Sequence, residues 1–313
     1  MIEVLSITFP LFGAIALGYG AVAAGLFSGG EMRVLGRYVL NIALPALLFD
    51  AVAGRDLGEV LHPGYMAAML IAGLATVAVG YGAVTLTGTG PARRAIAVMG
   101  MSVPNSAYVG YPALLLALPD LAGQVLALNF LVENFAMIPL ALFLLEIARP
   151  SPGRNLPRVL LRILWNVLRR PFVIGLLMGL AVSLLDVPYP APLERFVSIL
   201  AASASALALV VIGGTLHGLP MRGNKALAAG IASGKLLLHP AMAALAVAAV
   251  PWLGLPALTA EFRHAAVLSA AMPMFGIYVV LAQPYGHDGL ASISLLAATG
   301  GAFVTLSALL FAL

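Results

Sequence analysis

Within 313 residues that are 62% apolar and 9% charged, the residues able to do chemistry are polar groups set inside apolar runs. Val103-Pro104-Asn105-Ser106-Ala107-Tyr108 is the most polar and helix-averse of these stretches, and Gly100, Ser102, Gly110 and Pro112 reinforce it. Proline lacks a backbone donor and disfavours helical geometry in the residue before it, so a helix that contains it frees carbonyl groups. Beyond such a break the next half-helix presents free N–H groups and the positive end of its dipole. Asn105 and Ser106 are candidate caps and donors there, and such an end favours an anion. A second break, Met272-Pro273-Met274-Phe275-Gly276-Ile277-Tyr278, has its proline 169 residues after the first and its tyrosine five residues beyond that proline.

Ionisable groups form a second set of candidates, because a charge inside a membrane span costs several kcal/mol. Glu133 lies in mid-run with Asn129 and Asn134, and Asn129 and Glu133, four apart, share a helical face. This is either a proton-carrying carboxylate or ion ligand, or a satisfied polar cluster that ties one helix to its neighbours. Lys235 and His239 are also four apart; they offer positive charge to an anion, pair with Glu133, or tether the helix. Asn41 precedes Pro45 by four residues, so its amide either caps carbonyls freed by that proline or faces a substrate path.

Enzyme chemistry has no support. Cysteine is absent and the five histidines are scattered, so no metal or thiolate set can be drawn. There is no Gly-x-Ser-x-Gly turn, no pair of mid-span aspartates and no Gly-x-x-x-x-Gly-Lys loop. No catalytic residue, metal or cofactor is assigned.

The elements that position these groups follow from composition. A soluble domain carries about 25% charged residues, so this chain cannot wet a globular surface and reads as an all-α integral membrane protein. Ten apolar stretches are long enough to cross about 30 Å of hydrocarbon, namely 3–25, 34–53, 64–87, 94–118, 122–147, 171–187, 194–217, 226–252, 263–283 and 289–312. No alternation of period two supports a barrel. The first stretch follows Met1-Ile2-Glu3 without a basic flank, so it reads as a span and not a cleaved signal.

Cations give the orientation. Twelve of the sixteen, Arg33, Arg37, Arg93, Arg94, Arg149, Arg154, Arg158, Arg162, Arg169, Arg170, Arg222 and Lys225, follow spans one, three, five and seven. Arg55, Arg195 and Arg263 fall on the other side, and Lys235 lies within a span. Both termini are therefore expected outside the cytoplasm of a plasma (bacterial inner) membrane. The basic linker 149–170 reads as a solvated cytoplasmic loop, and the cations lack the patches that nucleic acid would need.

Five spans precede that linker and five follow it, so two similar halves, 1–148 and 171–313, must be inverted relative to one another. Such repeats place a substrate site near the midplane where broken helices meet. Gly175 and Gly179 make a GxxxG face for a homodimer seam or for internal packing.

Four motifs resemble the auxin efflux carrier family, which includes PIN-type auxin carriers and bacterial malonate or malate permeases. They are Asn41-Ile-Ala-Leu-Pro45-Ala-Leu-Leu-Phe49, Pro104-Asn105-Ser106-Ala-Tyr108-Val-Gly110-Tyr-Pro112, Lys235-Leu-Leu-Leu-His239-Pro240 and Met272-Pro273-Met274-Phe-Gly276. The resemblance implies a ten-helix fold similar to the bile-acid and sodium symporters, with helices four and nine broken and crossing. Spans one, two, six and seven would form a scaffold, and the other six a core that carries a small organic anion by an elevator-like motion through the lipid bilayer. By the same likeness Asn105 takes the place of a substrate-contacting asparagine, whereas Met274 stands at the second break and leaves the site asymmetric. Pro104, Asn105, Ser106, Tyr108, Pro273, Met274 and Asn41 are the expected substrate-binding set, and Glu133, Asn129, Asn134, Lys235 and His239 the expected ion- or proton-coupling set. Residues 265–281 contain no Asp, Glu, Asn or Gln, so proton coupling or uncoupled flux is expected over sodium.

Overall fold

The computed structural model describes residues 2–55, 58, 61–149 and 155–312, and Arg154 lies outside them. Among the described residues all the regular elements are helices. Seven are long and apolar enough to cross a membrane: α1 (Ile2–Ala23), α2 (Gly29–Val52), α3 (Pro63–Leu86), α6 (Pro119–Ile147), α9 (Ala191–Leu216), α10 (Lys225–Leu253) and α13 (Asp288–Ala312). Between them lie α4 (Pro91–Ser102), α5 (Ser106–Ala117), α7 (Leu156–Leu168), α8 (Pro171–Leu184), α11 (Ala260–Ala271) and α12 (Tyr278–Ala282). Two stretches that hydropathy counts as single spans, 94–118 and 263–283, are thus interrupted helices, and the linker contains a helix where the sequence suggested a loop.

Four of the helical segments widen for one turn into π geometry, at Val39–Ala43, Ser106–Gly110, Glu133–Met137 and Gly234–Leu238. Each is followed two residues later by a proline: Pro45, Pro112, Pro139 and Pro240. The cause is steric, since a proline ring clashes with the carbonyl four residues earlier. Just ahead of three of these prolines the chain bonds one residue further back: the N–H of Leu44 reaches the carbonyl of Val39, that of Ile138 reaches Glu133, and that of His239 reaches Gly234. These widened turns carry Asn41, Ser106, Tyr108, Glu133, Asn134 and Lys235, in keeping with the tendency of π turns to mark functional segments.

The helices pack into two compact units that do not coincide with the sequence halves. Unit 1 comprises residues 1–62, 106–130 and 169–219, and unit 2 comprises 63–105, 131–168 and 220–313. In unit 1, α1 and α9 touch backbone to backbone. A Cβ on Gly18 would collide with the carbonyl of Val210, and one on Gly213 with that of Ile15. Gly175 and Gly179 of α8 lie against Pro45 and Phe49 of α2 in the same way, so the GxxxG face is used inside unit 1 and is not free as a dimer seam. In unit 2, Met101 at the end of α4 fills the space left by Gly80 of α3 and Gly234 of α10. Small residues that let backbones approach supply the dispersion contacts that hold helices together in lipid, where the hydrophobic effect does not act between them.

This packing predicts different outcomes for two glycines. Gly213→Ala must push α1 away from α9, at about 1–3 kcal/mol, and should lower the melting temperature of the detergent-purified protein. Gly20→Ala, with nothing within 4 Å of the added carbon, should not. Equal melting curves for the two variants would refute the contact.

Candidate functional site

Backbone geometry ahead of both prolines builds the centre of unit 2. Val103 is extended (φ −106°, ψ 108°), as is Met272 (φ −62°, ψ 150°), the conformation that a following proline imposes. Helices α4 and α11 therefore stop, and their ends meet. Pro104 and Met274 form an isolated antiparallel bridge, and the N–H of Asn105 donates to the carbonyl of Pro273 at 2.8 Å. Residues far apart in sequence thus satisfy one another's backbone, which lipid could not do.

Side chains complete the accounting. The Lys235 ammonium donates to the carbonyl of Ala270 at 2.7 Å, one of the carbonyls left at the C-terminal end of α11. A cation at that end also opposes the negative pole of the helix. Its Nζ lies 2.6 Å from His239 Nδ1, as expected of residues four apart on one face. Lys235 is 0% exposed and His239 1%. Glu133, 6% exposed, is within Coulombic reach of Lys235, and the buried amide of Asn134 follows it.

Across the first break, the Tyr278 hydroxyl donates to the carbonyl of Ile96 at 3.0 Å. It can do so because Gly100 has no side chain, since a Cβ there would lie 2.7 Å from that hydroxyl oxygen. Nearby, the Tyr65 hydroxyl donates to Ser269 Oγ at 3.4 Å and ties α3 to the last turn of α11. The sequence shows Tyr278 only as an aromatic beyond Pro273. Its partner cannot be inferred there, although a glycine one turn before Pro104 is a signal of close approach.

The expected site residues therefore divide. Pro104, Asn105, Pro273, Met274, Glu133, Asn134, Lys235 and His239 all belong to unit 2, with Asn105 and Met274 buried. Ser106, Tyr108, Asn129 and Asn41 belong to unit 1. Tyr108 donates there to the carbonyl of Gly36 at 3.3 Å. Asn41 is exposed and its amide donates to the carbonyl of Arg37, one turn back on its own helix, at 2.7 Å. Asp50, in the last turn of α2, is also organised: it accepts from both Ser198 (3.2 Å) and Tyr189 (3.3 Å). Burial and this carboxylate push the Tyr189 phenol up to about 12. Among the described residues no group of three or more His, Asp or Glu side chains is placed to hold a metal ion.

A family described as "Membrane transport protein" matches residues 4–310. A curated relative from Rhizobium meliloti (strain 1021), described as "Putative malonate transporter", is 29% identical over 318 aligned positions, covering 99% of this chain and 96% of its own. The match spans both breaks and every helix described above, and the chain is a multi-pass member of the membrane transport protein family, the auxin efflux carrier group that its motifs resemble.

Proposed function

We propose that this protein is a secondary active transporter of a small organic anion, a mono- or dicarboxylate of the malonate class. The observation that carries the reading is the paired break at Pro104 and Pro273, closed by backbone bonds within unit 2 and flanked by a buried lysine. In this reading the ten apolar stretches are ten spans arranged as two inverted five-helix repeats, 1–148 and 171–313, joined by the linker 149–170. The arrangement is similar to the bile-acid and sodium symporters. The grouping of spans three, eight, nine and ten in unit 2, and of one, two, six and seven in unit 1, supports an elevator-like division into core and scaffold. Residues 106–130 depart from the division that the resemblance implies, because they cluster with unit 1.

Asn105 is the proposed anion contact, beside the half-helix that begins at Ser106. Its amide can donate to a carboxylate where the interrupted backbone also exposes donors. Pro104, Pro273 and Met274 shape that position, and Ser106, Tyr108 and Asn41 complete the proposed set. Glu133 is the proposed proton carrier, with Lys235 and His239 setting its electrostatic surroundings and Asn129 and Asn134 as polar neighbours on its helix. The malonate class comes from the relative's name and from the preference of a helix N-terminus and a buried cation for a compact anion.

In proteoliposomes, Asn105→Ala should lower malonate uptake by about tenfold or more, the loss expected for a hydrogen bond to a charged group. Melting temperature and reconstitution should not change. Wild-type flux from this variant would overturn the site. Uptake by the wild type should rise when the outside is made acidic and stay unaltered when sodium is replaced by choline, whereas Glu133→Gln should transport at one rate at both pH values. A variant that keeps the full acid stimulation would remove Glu133 from coupling.

Orientation has its own test, since the chain has no cysteine. A thiol at Met221 should react with an impermeant maleimide only from the cytoplasmic face, and one at Trp252 only from the opposite face. Both residues are exposed, and the reverse labelling would invert the topology drawn from the cations.

A further inference from the structure

Helix α7 (Leu156–Leu168) has three faces where an amphipathic surface helix has two. Asn155 caps its start by accepting from the N–H of Arg158 at 3.1 Å. Val159, Ile163 and Val167, at i, i+4 and i+8, form a stripe buried against the segment 133–147 of α6. Going round the helix, Leu160, Leu164, Leu168, Leu161 and Trp165 make a second apolar stripe that is largely exposed; Leu161 is 68% exposed and Trp165 52%. Arg158 and Arg162 stand one turn apart beside that stripe.

A stripe of four leucines and a tryptophan is a poor surface to leave in water. The apolar area it exposes would cost roughly 25 cal/mol for each Å² left in solvent. The charge beside it is of one sign: residues 155–170 contain Arg158, Arg162, Arg169 and Arg170 and no Asp or Glu. Arg162 reaches Glu146 of α6 at 3.0 Å while its side chain stays 61% exposed, and among the described residues Arg158 makes no ion pair. Tryptophan at the border between apolar and basic stripes is the side chain that prefers the headgroup level of a bilayer, and arginine can place its fork on phosphate while its stem lies along apolar surface.

We infer that α7 is an interfacial helix whose leucine and tryptophan stripe beds into the bilayer and whose Arg158 and Arg162 hold the phosphates of anionic phospholipids. The linker is then a lipid-reading element and not a solvated loop. Because its buried stripe lies on the segment that begins at Glu133, α7 stands between the lipid and the stretch of α6 that carries that carboxylate. The inference needs the membrane location of the chain but not its substrate or coupling.

Two tryptophans, Trp165 and Trp252, make the test direct. The Trp252→Phe protein, with Trp165 as its one indole, is reconstituted in nanodiscs that contain increasing mole fractions of either dibrominated phosphatidylglycerol or dibrominated phosphatidylcholine. Bromine quenches only an indole in contact with the lipid. The expected result is quenching by both lipids, with the anionic lipid reaching half its effect at lower mole fraction. Replacing Arg158 and Arg162 by Gln in the same background should raise that mole fraction by about fivefold per arginine. Fluorescence unaltered by either lipid would return α7 to the solvated loop. Equal quenching by both lipids in the protein with its arginines intact would remove the headgroup recognition, and that comparison stands whether or not the double variant folds.

Discussion

A peptide group buried in hydrocarbon must find its hydrogen-bond partner inside the protein, and the arrangement of this chain follows from that requirement. Twenty-one prolines in 313 residues put it under constant pressure, since each deletes a donor and several lie inside apolar segments. The structure answers in two ways. Where a proline lies two residues after a π turn, the helix continues with its bonds shifted back by one residue. Where proline follows an extended residue, as at Pro104 and Pro273, the helix ends and another break supplies the partner. The first solution bends a span; the second creates the irregular backbone that membranes tolerate only when protein surrounds it.

The same requirement explains why a lysine can be fully buried. An isolated ammonium in a low-dielectric interior is penalised by several kcal/mol even after relaxation. Lys235 meets that cost with the carbonyl of Ala270, a group that the break would otherwise leave without its helical donor, and with the imidazole of His239. The desolvation of the charge and the exposure of the carbonyl offset one another. The His239 side chain also bonds the backbone of Ala270, so lysine and histidine together serve the carbonyl end of the break.

Much of this is legible in the amino-acid sequence and part of it is not. Proline's missing donor is a property of the residue, so the interruptions at 104 and 273 follow from the letters alone, and the four-residue spacing of Lys235 and His239 by itself places them on one helical face. The partners are hidden, because which carbonyl Lys235 reaches depends on how α11 lies beside α10, a relation among residues 35 apart. Hydropathy also counts apolar residues without testing continuity, which is why 94–118 and 263–283 read as single spans while the chain breaks within each. Asn41 has two roles open to it by spacing and faces outward. In the linker the density of arginine suggests a solvated loop, and it masks the period-four spacing of Val159, Ile163 and Val167 that makes α7 amphipathic.

The bonds that close the breaks share a further property. Asn105 to Pro273, Lys235 to Ala270 and Tyr278 to Ile96 each begin and end within unit 2, although they join residues from separate stretches of chain. A unit that satisfies its own interrupted backbone carries its irregular geometry as a fixed feature, and no change in its surroundings obliges those carbonyls to find new partners. Interdigitated contacts such as Met101 between Gly80 and Gly234 act in the same direction, because a close-packed interior resists gradual deformation. The breaks at the centre of unit 2 are therefore closed by bonds that the unit makes to itself.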